Sequence, residues 1–257
     1  MTSGASRPEK GRRSDEDREA GAGRRPSGAE ALARRLRLIV ITDVELARPR
    51  PVLDVVRAAV AAGAPAVQLR AKGASPRELM EMGTELLPVA REAGALFFVN
   101  DRLDVALALG ADGVHLGPDD LPVAAARRAV DAAQRAGGAG GPMRGRTESS
   151  SPEEGEPPLP FLIGASTDDP EQARALAADG ADYIGCGTVF PTTTKADAGE
   201  AIGLDGLQRV AEAVEIPVVG IGGVDAAGAA RIGEATGAAG IAVVGAVMGA
   251  EDVGKAV

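Results

Sequence analysis

The chain has 257 residues, 45% of them hydrophobic, and a formal net charge of −9 at pH 7. That is enough apolar material for one sizeable core. The acidity, with no Trp, one Tyr and four Phe, argues against a base-stacking platform or a general nucleic-acid partner, and one Cys and one His rule out an intrachain disulfide and a zinc site built from several such ligands.

Residues 1–28 read MTSGASRPEKGRRSDEDREAGAGRRPSG. They have no apolar h-region of the secretory kind and too many acids for a transit peptide. We expect a disordered, mixed-charge tail over residues 1–35 and a barrel catalytic domain over 36–257. No apolar run is long enough to cross a membrane, and a cytoplasmic protein is expected.

From Leu36 short apolar runs alternate with Ala-rich helical stretches. The runs are LRLIVITD (36–43), PAVQLRA (65–71), ALFFVND (95–101), DGVHLG (112–117), PFLIGAST (160–167), DYIGCGTVF (182–190), IPVVGIGG (216–223) and AGIAVVGAVM (239–248). Helices are expected between them, for example over 52–63, 75–94, 121–137 and 169–180. Many open with Asp or Ser and close with Gly. Near-continuous apolar strands alternating with helices mean parallel strands covered by helices. Eight such units in this length predict an α/β fold, the (β/α)8 TIM barrel, with an open doubly wound sheet as the alternative. One stretch breaks the rhythm. Residues 138–160 are rich in Gly, Ser, Pro and mixed charge, and read as a flexible insertion after the fourth unit with no catalytic duty.

A barrel of this kind places its active site at the C-terminal ends of the strands. Strand two ends with Gln68, Arg70 and Lys72, on one face by alternation. Two inward cations need an anion to neutralise them; otherwise Arg70 and Lys72 would lie beyond the strand in water. Strands three and four end with Asn100-Asp101 and Asp119-Asp120. Asp101 and Asp120 together suit a hard cation such as Mg2+, which binds through one or two carboxylates plus substrate phosphates. The competing reading of each acid is a helix N-cap. Ser166 and Thr167 end strand five and would equally serve as caps.

Strand six runs into FPTTTKADAGE (190–200). Its hydroxyls and Lys195 are what an anionic phosphate needs, although Thr and Lys are also ordinary loop residues. Gly222 and Gly223 end strand seven, and Val244 and Gly245 end strand eight. Their backbone N–H groups can cradle a phosphate. The mouth thus predicts two anion sites. A diphosphate and Mg2+ site would use Arg70, Lys72, Asn100, Asp101, Asp120 and Lys195. A monophosphate cradle would use Gly222, Gly223, Val244 and Gly245. Two phosphorylated substrates, one of them a diphosphate, suggest a transferase that expels pyrophosphate. His115 is read as structural, and Cys186 as a small buried hydrophobe.

The order QLRAK, VND, GVHLGPDD, IGAST, GTVFPTTTK, VVGIGG, AVVGAVM resembles the thiamine phosphate synthase family, over about residues 36–254. The resemblance implies a (β/α)8 barrel that joins 4-amino-5-hydroxymethyl-2-methylpyrimidine diphosphate to a thiazole phosphate, with Mg2+ as cofactor. It implies that Gln68, Arg70, Lys72 and Asn100 contact the pyrimidine diphosphate. Asp101 and Asp120 would hold Mg2+, and Ser166 and Lys195 would bind pyrimidine or pyrophosphate. Thr192, Thr194, Gly222, Gly223, Val244 and Gly245 would meet the thiazole phosphate. Arg70, Lys72 and Lys195 would stabilise the departing pyrophosphate in a dissociative displacement. Two positions depart from the family pattern: Gly245 stands where Ser is usual, and Pro118 where Gln is usual. The resemblance leaves two rivals, a thiazole tautomerase-like paralogue and a non-catalytic phosphate-binding barrel. Expected partners are small phosphorylated molecules, with a homo-oligomer allowed and neither nucleic acid nor membrane.

Overall fold

The computed structural model describes residues 1, 28–137, 159–192 and 199–257. Eight parallel strands close into a barrel in sequence order, β1 (Leu38–Ile41), β2 (Ala66–Leu69), β3 (Leu96–Asn100), β4 (Gly113–Leu116), β5 (Leu162–Ser166), β6 (Tyr183–Cys186), β7 (Val218–Ile221) and β8 (Gly240–Val243). The register Leu38↔Ile241, Ile39↔Ala242, Val40↔Val243 joins the last strand to the first. Each strand falls inside one of the eight apolar runs, so the (β/α)8 TIM barrel is the observed fold. Among the described residues no helix is long and apolar enough to cross a membrane.

Helix α1 (Gly28–Arg35) precedes β1, and α2 (Val44–Ala47) with α3 (Val52–Ala61) follows it. Then come α4 (Pro76–Glu92), α5 (Leu103–Leu109), α6 (Val123–Arg135), α7 (Pro170–Ala178), α8 (Gly203–Ala213) and α9 (Ala226–Ala235) after β2 to β7 in turn. Two single-turn helices, α10 (Gly245–Met248) and α11 (Val253–Ala256), follow β8. Local chemistry sets these starts. Ser75 and Glu78 form a reciprocal capping box ahead of α4, with Pro76 in its first turn. Asp169 and Asp225 cap α7 and α9 by accepting from Gln172 N and Gly228 N.

Residues 28–35 correct one expectation. The sequence placed them in the tail, but they form α1, whose Leu32 is only 6% exposed. Leu32 and Leu36 join Ile39, Leu96, Phe98, Leu162 and Tyr183 in the cluster inside the barrel. The helix therefore covers the N-terminal mouth, which a barrel must keep dry. Segments 2–27 and 138–158 lie outside the described residues. The second sits between α6 and β5, where the insertion was expected.

Strand alternation divides the core in two. Val40, Val67, Phe97, Val99, Val114, Ile163 and Ile184 face the helices. Ile39, Ile41, Phe98, Tyr183 and Val219 face inward. The tripeptide Gly-Ala-Asp recurs at 110–112 and 180–182. Each time the aspartate secures an adjacent strand: Asp112 accepts from Phe97 N at 2.8 Å, and Asp182 from Ile163 N at 2.7 Å. Removing either carboxylate would orphan a strand-end N–H in a half-buried setting.

Candidate active site

The inward layer nearest the strands' C-terminal ends is polar where the layers below it are apolar. Alternation puts Gln68, Asn100, His115 and Ser166 on the same inner face as Ile39, Phe98, Gly113 and Leu162. A cavity of about 960 Å³ opens there. Gln68, Arg70, Lys72, Asn100, Asp101, Asp120, Ser166, Thr192, Gly222, Gly223, Val244 and Gly245 all line it. The structure thus brings together every expected site residue that it describes. Thr194 and Lys195 lie outside the described residues. A smaller cavity of about 290 Å³ at the other end has only Glu30 and Glu215 as charged lining residues, which does not suit an anion.

Gln68 is 3% exposed, and its Nε2 donates to Asn100 Oδ1 at 2.7 Å. The buried amide therefore has a partner, and it aligns two site residues across β2 and β3. Beyond the end of β2 the chain turns over Thr42, which the sequence reading missed. The Thr42 hydroxyl accepts from Arg70 N and donates to Arg70 O, both at 2.8 Å. Arg70 Nη1 lies 3.4 Å from Asp43 Oδ2, with both side chains about four-fifths buried (21% and 20% exposed). Asp43 was also missed. Its other oxygen caps α2 by accepting from Glu45 N and Leu46 N, each at 3.1 Å. Lys72 is exposed at the cavity rim.

Asp101 follows β3 with φ of 65°, and no other described non-glycine residue has a positive φ. Its N–H donates to His115 O at 2.8 Å, and Arg102 N donates to Asn100 O at 2.7 Å. This tight turn aims the carboxyl group at Asp120. Burial pushes Asp101 up to about 6, helped by a hydrogen bond to Asp120 and by that residue's charge. Arg70 and Asn100 pull the other way without prevailing. Asp120 Oδ2 also accepts from Gly117 N at 2.7 Å. Neither acid caps a helix: the N-cap positions of α5 and α6 are Arg102 and Pro122, with no side-chain cap bond. Ser166 is likewise no cap, since Asp169 has that role.

Two carboxylates brought together in this way, one of them raised by burial and by its neighbour's charge, fit a hard divalent cation that would neutralise both. Among the described residues no group of three His, Cys, Asp or Glu gathers. The fit is to a metal that takes its remaining ligands from phosphate and water.

The opposite wall is backbone. Gly222 and Gly223 have φ of 99° and 63°. A Cβ on Gly223 would stand 2.5 Å from Pro191 O and 2.6 Å from Phe190 O, so only glycine fits. Phe190 N donates to Gly222 O at 3.0 Å, which holds the chain at Phe190 and Pro191 against this turn. The backbone of Val244 and Gly245 completes the wall at the start of α10.

His115, read from the sequence as structural, is held by side-chain contacts at both ring nitrogens. It lines the cavity, with Nε2 at 2.8 Å from Ser166 Oγ and Nδ1 at 3.0 Å from the Tyr183 hydroxyl. Burial pushes it down to about 4, so it is neutral at physiological pH. Cys186 is buried, and burial pushes its thiol up to about 12, as suits a packing residue.

The family model described as thiamine monophosphate synthase matches residues 38–139 and 157–247. The chain belongs to the thiamine monophosphate synthase family. Within that family it is 45% identical to the thiamine-phosphate synthase of Pyrococcus furiosus, over 88% of this chain and 93% of that one. It is 42% identical to that of Moorella thermoacetica, over 85% and 91%. The solved thiamine phosphate pyrophosphorylase of Pyrococcus furiosus superposes with a TM-score of 0.71 at 43% identity, covering 88% of this chain and 93% of that one. The family match spans the cavity walls from β1 through α10. Among the residues outside it, 2–27 lie beyond the described part of the chain.

Proposed function

We propose that this chain joins 4-amino-5-hydroxymethyl-2-methylpyrimidine diphosphate to a thiazole phosphate, giving thiamine phosphate and pyrophosphate. The observation that carries the reading is the Asp101–Asp120 pair beside Arg70, facing the Gly222–Gly223 turn across one cavity. In the reaction the methylene carbon–oxygen bond breaks and its electron pair leaves on pyrophosphate. The thiazole nitrogen then forms the new carbon–nitrogen bond.

The protein's part is electrostatic. Arg70, oriented by Asp43 and Thr42, offers a fixed guanidinium to the diphosphate as its charge grows. Lys72 adds a mobile charge at the rim, and Lys195 is assigned to the same leaving group. Gln68 and Asn100, locked together, present amide groups to the pyrimidine. Asp101 and Asp120 would hold Mg2+, which when bound supplies charge neutralisation to the diphosphate oxygens. Gly222, Gly223, Val244 and Gly245 offer backbone N–H groups to the thiazole phosphate; Thr192 lines the same cavity, and Thr194 is assigned to that phosphate by the family resemblance alone. No general base is required, which agrees with a single, neutral histidine.

The tautomerase-like and non-catalytic alternatives leave Gln68, Arg70, Asp101 and Asp120 without work, and are not favoured. Incubation with both substrates and Mg2+ tests the proposal. Thiamine phosphate and pyrophosphate should form in equal amounts. Binding of thiazole phosphate without any coupling would contradict it.

A further inference from the structure

His115 is the only histidine in the chain, and its ring sits between two hydroxyls. Tyr183 is 1% exposed, and its hydroxyl has one hydrogen-bond partner among the described residues, His115 Nδ1 at 3.0 Å. The Ser166 side chain likewise has one, His115 Nε2 at 2.8 Å. The three residues come from β6, β4 and β5, and their positions are fixed by packing. Phe98 meets the Tyr183 ring edge-on at 5.5 Å. A Cβ on Gly185 would stand 2.8 Å from His115 Cε1, and one on Gly164 would overlap the Tyr183 ring.

A neutral imidazole carries one N–H and one acceptor nitrogen, so the two hydrogen bonds must run in the same sense. If Nδ1 carried the proton, the tyrosine would accept, and its own buried O–H would have no acceptor. That costs the full desolvation of a donor. If Tyr183 donates to Nδ1, its O–H is satisfied and the proton sits on Nε2. The Nε2–H then donates to Ser166 Oγ, and the serine hydrogen is free to point away from the ring. Ser166 lines the cavity, so that hydrogen can point into it.

We propose that Tyr183 fixes His115 as the Nε2–H tautomer, and that this relay makes the Ser166 hydroxyl a hydrogen-bond donor to an acceptor atom of the bound pyrimidine diphosphate. Tyr183 and His115 are then positioning residues that act through Ser166. The serine selects a ligand with a lone pair at that point and discriminates against one with an N–H there. The identity of the ligand rests on the proposed function; the direction of the relay does not.

The single histidine makes the test direct. In protein labelled with 15N-histidine, the spectrum at neutral pH should contain one pyrrole-type nitrogen, at ε2, and one pyridine-type nitrogen, at δ1. An Nδ1–H tautomer or an imidazolium would overturn the proposal. Tyr183→Phe keeps the ring and removes the anchor, so the two tautomers should mix. The KM for pyrimidine diphosphate should rise about tenfold, the worth of one hydrogen bond, with the KM for thiazole phosphate unchanged. An equal shift in both constants, or in neither, would count against the relay. His115→Gln places an amide N–H near the Nε2 position and should hold the diphosphate KM within about threefold of wild type, whereas His115→Asn should lose about tenfold. Equal losses in the two variants would also overturn it. Should the wild-type protein form no thiamine phosphate, the functional reading falls, while the spectrum still decides the tautomer.

Discussion

Arg70 and Asp43 meet at 3.4 Å across the ends of β1 and β2, and the same aspartate caps α2 through its other oxygen. One carboxylate thus aims the Arg70 guanidinium and starts a helix. The two duties can be separated. Asp43→Asn keeps a good cap but loses the ion pair; Asp43→Ala loses both. Thermal unfolding should rank wild type above Asn and Asn above Ala, with the cap worth about 1 kcal/mol. Both variants should lose about tenfold in kcat/KM for the diphosphate substrate, because Arg70 is no longer held. Equal melting temperatures for Asn and Ala would refute the double role.

Asp101 predicts a pH signature. Its carboxyl is raised to about 6 in the fold, against an ordinary value of 3.8. The folded chain therefore holds this proton more tightly than the unfolded chain does. The associated stability is full below pH about 4 and is lost as pH rises through 6. In a chelator, Asp101→Asn should flatten the melting profile between pH 4 and pH 7 and melt higher than wild type at pH 7.5. Asn tolerates the positive φ. Coupling should fall at least about 100-fold. A variant that is less stable than wild type at pH 7.5 would contradict this account of the site.

Mg2+ should compete with the same proton. A cation held by Asp101 and Asp120 needs both ionised, so its stabilisation of the fold should be small at pH 5 and grow through pH 6 to 7.5. Calorimetric melting with and without Mg2+ at three pH values reads this directly. Asp120→Asn should abolish the difference. A Mg2+ shift independent of pH would place the ion elsewhere.

Gly223→Ala tests the opposite wall. The φ of 63° and the carbonyls of Phe190 and Pro191 leave no room for a methyl group. The variant should lose about 2 kcal/mol of stability. At a temperature where it remains folded, the KM for thiazole phosphate should rise more than the KM for the pyrimidine diphosphate. The reverse order would contradict the assignment of the two anion sites.

The strands were legible because a parallel strand buried on both faces reads as a continuous apolar run. Asp101 and Asp120 were legible because strand ends in this barrel are where chemistry collects. α1 was hidden by its mixed charge: only Leu32 of its residues reaches the core, too little for a periodic signal. Thr42, Asp43 and Tyr183 were missed for another reason. Their partners lie one or two strands away, at Arg70 and His115, and only the barrel register brings them together. The inward direction of His115 was not legible because the inner face of β4 is apolar in one layer and polar in the next. The places of Thr194 and Lys195 fall outside the described residues, so both keep only the role that the family resemblance implies.

The central claim is that residues from successive strand ends converge on a metal-bound diphosphate. A crystal structure with pyrophosphate and Mg2+ tests it most directly. The account predicts the ion between the carboxylates of Asp101 and Asp120, with pyrophosphate against Arg70 and Lys72. Pyrophosphate seated only on the Gly222–Gly223 turn, with no ion at the two aspartates, would contradict it.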